Sequence, residues 1–254
     1  MTLIAHAATL LSAIMFSLHV VGMALTAWRA RPMRPLQAAP DAPGVTLVRP
    51  LCGVDFDGQA ILSAAFSLDY PKFEVLFCVE RADDPVVPLV TQLIDKHPNV
   101  DARLLIGTDH ISDNPKLNNM AKGWRMARYE FVCFTDSNLM IPPDYLQRVL
   151  SSWREGTGCV SAPPVGGKAE GLFGELECAF LNSFQARWQF AVDTLGFGFA
   201  QGKTLCFRRS DLASVGGVAA LACEPAEDAA ASQARALSRF LTRSSKKLAC
   251  VCCL

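Results

Sequence analysis

The first 28 residues constrain the fold most, because they contain an uninterrupted apolar run. No Asp, Glu, Lys or Arg occurs between Leu3 and Trp28, and two histidines are its most strongly polar residues. A helix needs roughly 20 apolar residues to cross the hydrocarbon core of a bilayer. Basic residues beside a span tend to stay in the cytoplasm, and three follow at once: Arg29, Arg31 and Arg34. We therefore expect residues 1–28 to be a single-pass membrane anchor with the following domain in the cytoplasm.

Two other interpretations of this run fit less well. A cleaved signal peptide would carry a basic segment before a shorter apolar core, whereas the apolar run begins here at Leu3 without one. A buried helix of a soluble domain would rarely be so free of charge. The whole chain has 24 basic and 24 acidic residues, a formal net charge of +0, so no basic excess indicates a nucleic-acid partner.

Composition divides the rest of the chain into three parts. Residues 29–44 are rich in Pro, Ala and Arg, which is typical of a linker. Residues 45–241 alternate apolar runs with helical patterns and predict one α/β domain. Residues 242–254 form an atypical tail without an apolar run of membrane length.

Strands and helices alternate regularly through residues 45–162. The predicted strands are Val45–Leu51, Phe73–Val79, Arg103–Ile106, Phe131–Thr135 and Gly158–Ala162, and the helices between them are Asp57–Ser67, Pro85–Lys96, Lys116–Ala127 and Pro143–Trp153. This order indicates βαβ units and a mainly parallel sheet. Ligands of such sheets bind beyond the carboxyl ends of the strands, so the residues directly after each strand are the candidates for a site.

Acidic residues stand at three suitable positions. They are Asp83-Asp84, Asp136-Ser137-Asn138 and Glu227-Asp228, the last at the start of a helical stretch. Transfer from a nucleotide sugar releases a diphosphate, so a cation held by carboxylate oxygens stabilises the leaving group. A separate carboxylate then takes the proton of the attacking hydroxyl. Alternatively, such aspartates are turn formers or helix N-caps, and Asp228 also fits a cap of the following helix.

These acidic segments belong to a series of motifs that resembles glycosyltransferase family 21, the ceramide glucosyltransferases. The resemblance covers roughly Thr46 to Phe240, and its motifs recur in order: Arg49–Asp55, Leu68–Val75, Asp83–Pro85, His97–Leu104, Asn114–Asn119, Asp136–Asn138 and Ala226–Asp228. It implies a GT-A fold, UDP-glucose as donor, a divalent cation (Mg²⁺ or Mn²⁺) and inversion at the anomeric carbon. It also implies a membrane lipid as acceptor, with ceramide as the first choice.

The resemblance also implies a role for individual residues. Asp84 matches the first family aspartate, which serves the nucleotide. Asp136 matches the second, near the metal and the diphosphate, and Asn138 belongs to the same nucleotide-sugar-binding motif. Asp228 matches the third, the catalytic base. Lys116 lies in the Asn-Pro-Lys motif, where a cation steadies phosphates; alternatively, Lys116 and its neighbour Asn114 only order a loop.

The chain departs from the family pattern in two places. The signature Gln-x-x-Arg-Trp, expected beyond the third aspartate, is absent, and Gln185-Ala186-Arg187-Trp188 has one intervening residue and precedes Asp228. Gln185 stands where eukaryotic relatives have a histidine. The tail after Phe240 lacks the further apolar segments of the family, so we expect a truncated or frame-shifted product. Lipidation of Cys250, Cys252 and Cys253 beside two lysines is the alternative.

The segment Gly166–Phe199 is unusually rich in Phe, Leu and Gly. In a domain tethered at a bilayer, this composition predicts an acceptor channel or an interfacial helix, and ordinary core packing of long helices explains it equally well. Together these patterns predict transfer of glucose from UDP-glucose to ceramide. The alternatives are a hopanoid, diacylglycerol or polyprenyl acceptor, or a UDP-sugar-binding remnant without turnover.

Overall fold

A long N-terminal helix, α1 (Thr2–Arg29), precedes the rest of the fold. The computed structural model describes residues 2–29, 35–167, 169–195, 198–232 and 247–250. Within those ranges α1 is the one helix long and apolar enough to cross a membrane, with a mean hydropathy of 1.9 over Thr2–Trp28 and almost no burial against the protein. By length and composition, α1 is therefore suited to anchor the chain in a membrane.

A seven-stranded sheet organises the described part of the domain. Its strands are β1 (Val45–Leu51), β2 (Phe73–Val79), β3 (Ala102–Ile106), β4 (Phe131–Thr135), β5 (Thr157–Ser161), β6 (Thr204–Arg208) and β7 (Lys247–Cys250). The spatial order is β3-β2-β1-β4-β6-β5-β7. Among these strands β6 alone runs antiparallel to its neighbours, so the predicted α/β class with a mixed, mainly parallel sheet is confirmed.

Helices connect the strands. They are α2 (Gly58–Ser63), α3 (Val86–Lys96), α4 (Pro115–Met126), α5 (Tyr145–Ser151), α6 (Gly171–Phe180), α7 (Ala186–Thr194), α8 (Arg209–Ala213) and α9 (Glu227–Ser232). Short 3₁₀ helices cover Ala64–Ser67 and Gly217–Cys223, and a π-helical turn, Leu181–Gln185, joins α6 to α7.

The core lies on both faces of the sheet, because successive residues of a strand point to opposite faces. On β1, Leu47 joins the cluster that contains α3 and α5, whereas Val48 joins the cluster that contains α4. The second face requires Gly123 in α4, since a Cβ there would approach Val48 Cγ1 to 2.3 Å. This close approach brings the second half of α4 directly onto the middle of β1.

A buried carboxylate ties the strands together at their amino ends. Glu74, the second residue of β2, accepts hydrogen bonds from Thr46 (2.7 Å), the backbone amide of Arg128 (2.8 Å) and the guanidinium groups of Arg103 (2.7 Å) and Arg128 (2.9 Å). Burial alone would raise the pKa of Glu74, but these hydrogen bonds and the Arg128 charge bring the pKa below its usual value. We call this group the Glu74 network.

The second half of the predicted linker follows the surface of the domain. The amide of Leu36 donates to the Asp144 carboxylate at 3.0 Å, and the Tyr70 hydroxyl donates to the Pro43 carbonyl at 2.7 Å. Residues 30–34 lie outside the described residues. Two backbone positions between α1 and β1 are thus held against the domain.

Strand boundaries agree closely with the sequence prediction in the first half. The bounds of β1, β2 and β4 are the predicted ones, and α2 continues into a 3₁₀ turn rather than reaching Ser67 as one helix. The predicted domain limit at residue 241 lies outside the described residues, whereas within the expected tail Lys247–Cys250 forms β7, paired with β5. The rest of the tail, including Cys252 and Cys253, is outside them too.

The aromatic segment after β5 divides into two different helices. In α6 no residue is buried, and Phe173 is 85% exposed. In α7, by contrast, Arg187 and Phe190 are buried, and Arg187 contacts His19 and the backbone near Gly22 of α1. Core packing therefore accounts for α7 but not for α6.

Candidate active site

An acidic cavity of about 330 Å³ lies at the carboxyl ends of β1, β2 and β4. Its wall contains four carboxylates, Asp55, Glu80, Asp84 and Asp136, together with Arg81, Lys116 and Asn138. The cavity is thus where parallel sheets place their ligands. Of the five candidate site residues, the structure brings four to this wall: Asp84, Lys116, Asp136 and Asn138.

Asp84 joins the loop after β1 to the start of α3. Its two carboxylate oxygens accept from the Gly53 amide at 3.1 and 3.0 Å, and one of them also accepts from the Val86 amide at 2.9 Å. Gly53 has φ of 70°, a conformation that glycine adopts without strain. Asp84 therefore shapes the cavity wall formed by the loop after β1.

Asp136 sits between two lysines. Its Oδ1 lies 2.6 Å from Lys116 Nζ and its Oδ2 lies 3.2 Å from Lys203 Nζ. Lys203 also donates to Asn138 Oδ1 at 2.8 Å. The Asp136 carboxylate and the ammonium groups of Lys116 and Lys203 thus meet at the end of β4.

Lys116 is held by a second carboxylate, Glu227, which belongs to the third acidic segment of the sequence but had no role assigned there. Glu227 Oε1 lies 2.5 Å from Lys116 Nζ, and Glu227 Oε2 accepts from Asn114 Nδ2 at 2.9 Å. Burial by itself would lower the pKa of Lys116, but the charges of Asp136 and Glu227 and their hydrogen bonds raise it. Lys116 therefore stays a cation, and Asn114 also caps α4 through its Oδ1.

Asp228 reaches the same cluster through Gly202. Its Oδ2 accepts from the Gly202 amide at 2.9 Å, and the Gly202 carbonyl accepts from Lys116 Nζ at 3.0 Å. A side chain at position 202 would collide with this cluster, since a Cβ there would lie 2.8 Å from Glu227 Oε1. Within the described part of the chain, Asp228 joins this network without lining the acidic cavity.

A buried arginine positions the loop that carries Asp136. Arg49 is fully buried in β1, and its Nη2 donates to the carbonyl oxygens of Asp136 (2.9 Å), Ser137 (3.3 Å) and Leu139 (3.0 Å). Burial lowers the pKa of Arg49 to about 10, despite the opposing effects of Tyr145 and Asp136. The sequence contained a signal for this role of Arg49, because a charged residue inside an otherwise apolar strand needs hydrogen-bonding partners when it is buried.

The donor atoms of the acidic cavity suit a hard divalent cation. Asp136 and Asn138 supply oxygens, which Mg²⁺ and Mn²⁺ prefer. No cluster of three His, Cys, Asp or Glu side chains arranged for a metal occurs within the described ranges. Such a donor set fits a cation whose remaining ligands are substrate phosphates and water.

The sequence Gln185-Ala186-Arg187-Trp188 takes no part in this wall. Arg187 belongs to α7, where it contacts His19 of α1 and lies over the Trp188 ring at 5.4 Å. Arg187 thus connects α7 to the N-terminal helix, and among the described residues neither Arg187 nor Trp188 lines the acidic cavity.

Comparison with known families places these features in context. The model for glycosyl transferase family 21 matches residues 10–244. The chain is similar to ceramide glucosyltransferase of Komagataella phaffii, with 42% identity over 117 residues, 44% of this chain and 23% of that protein. It is also similar to ceramide glucosyltransferase 1 of Caenorhabditis elegans, with 27% identity over 219 residues, 85% of this chain and 47% of that protein. The chain thus spans less than half the length of either relative.

Solved structures show the same fold at low identity. The mannosyltransferase PcManGT from Pyrobaculum calidifontis, in complex with GDP-Man and Mn²⁺, aligns with a TM-score of 0.54 and 19% identity over 92% of this chain and 68% of that chain. Glucosyl-3-phosphoglycerate synthase from Mycobacterium tuberculosis, in complex with Mn²⁺, UDP and glucosyl-3-phosphoglycerate, aligns with a TM-score of 0.51 and 14% identity over 86% of this chain and 75% of that chain. The domain therefore has the GT-A type of fold.

Proposed function

Because the chain belongs to glycosyltransferase family 21, we propose that it transfers glucose from UDP-glucose to a hydroxyl of a membrane lipid, with ceramide as the first acceptor to test. The observation that carries this proposal is the acidic cavity, where Asp84, Lys116 and Asp136 meet at the carboxyl ends of parallel strands. Both relatives compared above bear the name ceramide glucosyltransferase, and two solved structures of this fold hold a nucleotide or nucleotide sugar with Mn²⁺.

The donor would lie along the wall of the acidic cavity. Asp84 holds the loop after β1 against the nucleoside, and Asp136 and Asn138 face the diphosphate from the end of β4. Lys116 and Lys203 set two positive charges beside it, which suits a leaving group whose negative charge grows. A divalent cation such as Mg²⁺ or Mn²⁺, held by Asp136, would supply further positive charge there.

Asp228 is the proposed base. The acceptor oxygen forms a bond to the anomeric carbon as the bond from that carbon to the diphosphate breaks, so UDP leaves with the electron pair. Asp228 takes the hydroxyl proton, and attack from the side opposite the diphosphate inverts the configuration. The Gly202 amide, 2.9 Å from Asp228 Oδ2, keeps this carboxylate close to Lys116, Asp136 and Glu227, which we call the Lys116 cluster.

The N-terminal helix would hold this reaction at the membrane. With α1 as a single-pass anchor and its arginine-rich flank in the cytoplasm, the acidic cavity faces the cytoplasm and the acceptor comes from the bilayer. In vesicles with the extracytoplasmic side outward, Asp95→Cys on the exposed surface of α3 should gain impermeant-maleimide label over wild type, whose exposed Cys52 and Cys223 also react, only after the vesicles are permeabilised.

Transfer and binding are tested separately. Membranes containing the full chain receive labelled UDP-glucose and ceramide, and the product is identified by mass. Asp228→Asn should abolish transfer and leave the affinity for UDP within about twofold, and Asp95→Asn on α3 is the matched control. If UDP affinity vanished in a folded Asp228→Asn protein, the division of roles between Asp228 and the cavity would be wrong.

A second candidate is a UDP-sugar-binding membrane protein without turnover. The proposed base Asp228 lies outside the wall of the acidic cavity, and this observation favours it. Saturable UDP-glucose binding without product on ceramide, diacylglycerol, hopanoid or polyprenyl lipids would support it. If product formed on one of the other lipids instead, the chain would still be a transferase, but its acceptor would not be ceramide.

A further inference from the structure

A second, apolar cavity of about 340 Å³ lies beside the acidic one. Its wall is mostly hydrocarbon, contributed by the loops after β1, β4 and β5: Phe56, Ile61, Leu139, Met140, Ala162 and Val165. Ligand pockets in proteins begin at about this size. The cavity is therefore large enough for a small group or for one segment of a larger molecule.

The polar groups at the base of the apolar cavity already have partners. The Tyr145 hydroxyl lies 2.9 Å from the Thr204 hydroxyl and 3.2 Å from that of Thr135. A hexose would bring several hydroxyl groups into this space and would lose hydrogen bonds to water there. A hydrocarbon segment loses none, and its burial is favourable.

One residue connects the two cavities. Asn138 lines both, and its Oδ1 accepts from Lys203, which also pairs with Asp136. A molecule with a hydrocarbon segment in the apolar cavity and a hydroxyl at one end would thus bring that hydroxyl to the edge that the two cavities share.

The opposite side of the apolar cavity is attached to the helices nearest α1. Gly166, in the loop after β5, exchanges two hydrogen bonds with the Asn182 carboxamide, of 2.8 and 2.9 Å. Asn182 lies between α6, whose Phe173 and Phe180 are exposed, and α7, which packs on α1. The loop on this side of the cavity is therefore joined to the segment between α6, which exposes apolar side chains, and α7, which packs on the candidate membrane helix.

We propose that the apolar cavity binds the hydrocarbon segment next to the reacting hydroxyl of the acceptor lipid. The occupant comes from the bilayer along α6, and its hydroxyl enters the acidic cavity at Asn138. This assignment rests on the proposed function for the identity of the donor. It adds a lipid-chain site built from the loops after β1, β4 and β5.

The test uses the full chain in membranes that contain a ceramide carrying a photoreactive diazirine in the chain next to its hydroxyl. After irradiation, labelled peptides are identified by mass. We expect label in the peptides that contain residues 139–142 or 162–167. Met140→Asp and Val165→Asp, at positions 46% and 41% exposed, should each reduce that label about tenfold, because a carboxylate in the cavity disfavours hydrocarbon.

A matched control separates cavity effects from general ones. Met126→Asp places the same charge at a methionine 41% exposed at the end of α4, outside the apolar cavity, and should leave the label unchanged. Stabilisation by UDP should be the same in all variants. Label confined to α1 or α6, or unchanged in both cavity variants while UDP binds, would overturn the lipid-chain site.

Two further outcomes are informative. If UDP-glucose, and not unlabelled ceramide, protected the cavity from labelling, the cavity would belong to the donor sugar and the proposal would be wrong. If the cavity were labelled and competed by ceramide but UDP did not bind, the lipid-chain site would stand and the proposed transferase function would fall.

Discussion

Two charged networks occupy opposite ends of the same sheet, and they are built differently. The Glu74 network lies at the amino ends of β1 and β2, where the Glu74 side chain is 0% exposed and accepts from three residues. The Lys116 cluster lies at the carboxyl ends, where Lys116 is 30% and Asp136 19% exposed and both face a cavity.

The contrast separates stability from binding. A buried charge must be surrounded by partners, since an unpaired one costs several kcal/mol, and the partners of Glu74 leave no room for a ligand. The Lys116 cluster keeps charged atoms at a cavity wall, where a ligand can exchange with existing ion pairs. Exchangeable ion pairs of this kind are typical of functional sites.

The largest expected effect comes from removing the charge of Glu74. Glu74→Gln should lower the free energy of unfolding by about 3 kcal/mol, because Arg103 and Arg128 lose their buried partner. UDP affinity of the folded protein should not change. Denaturant unfolding of detergent-solubilised protein measures the first and calorimetry the second. Asp83→Asn, in a pair exposed on both sides, is the control and should leave the unfolding midpoint unaltered.

The next effect should appear in binding. Lys116→Met should weaken UDP-glucose binding about thirtyfold, since a charged hydrogen bond contributes roughly 2 kcal/mol. Unfolding should change less than in Glu74→Gln, because Lys116 is partly hydrated. Lys96→Met, at the exposed end of α3, is the control. A larger loss of stability than of affinity would show that Lys116 belongs with the structural network instead.

Much of this arrangement follows from the order of residues along the chain. Parallel strands end at one edge, so Asp84 and Asp136 were expected to share a site, and the apolar runs of β1, β2 and β4 gave their boundaries.

Long-range contacts were beyond the sequence patterns. Lys116 and Glu227 stand 111 positions apart, and only the fold brings their side chains to 2.5 Å. The strand β6 is five residues long and ends in arginine, and its antiparallel pairing with β4 depends on a sheet that already exists. The need for glycine at position 202 likewise follows only from the fold, which packs Asp228, Glu227 and Lys116 around it.

Replacing Arg49, which positions the loop that carries Asp136, should give a smaller effect. Arg49→Lys keeps the charge but loses the planar fork that holds three carbonyl oxygens of the loop after β4. UDP affinity should fall about tenfold, or roughly 1.4 kcal/mol, because Asp136 is displaced. Arg125→Lys, at an exposed ion pair with Asp109, is the control. Unchanged affinity would mean that Asp136 is positioned by its lysines alone.

The smallest effect concerns pH, because the two networks lose their stabilisation in opposite pH directions. The pKa of Glu74 is lower in the folded state than its usual value of 4.5, so its stabilisation is complete above that value and is lost as the pH falls through the folded pKa. The slope it contributes is at most about 1.4 kcal/mol per pH unit. The pKa of Lys116 is raised above 10.5, so its stabilisation is present below that value and is lost only as the pH rises through the folded pKa. Unfolding of wild type and Glu74→Gln between pH 3 and pH 7 should therefore converge in acid, whereas wild type and Lys116→Met should converge as the pH rises above 10.5. A constant difference between wild type and Glu74→Gln down to pH 3 would contradict the first of these expectations.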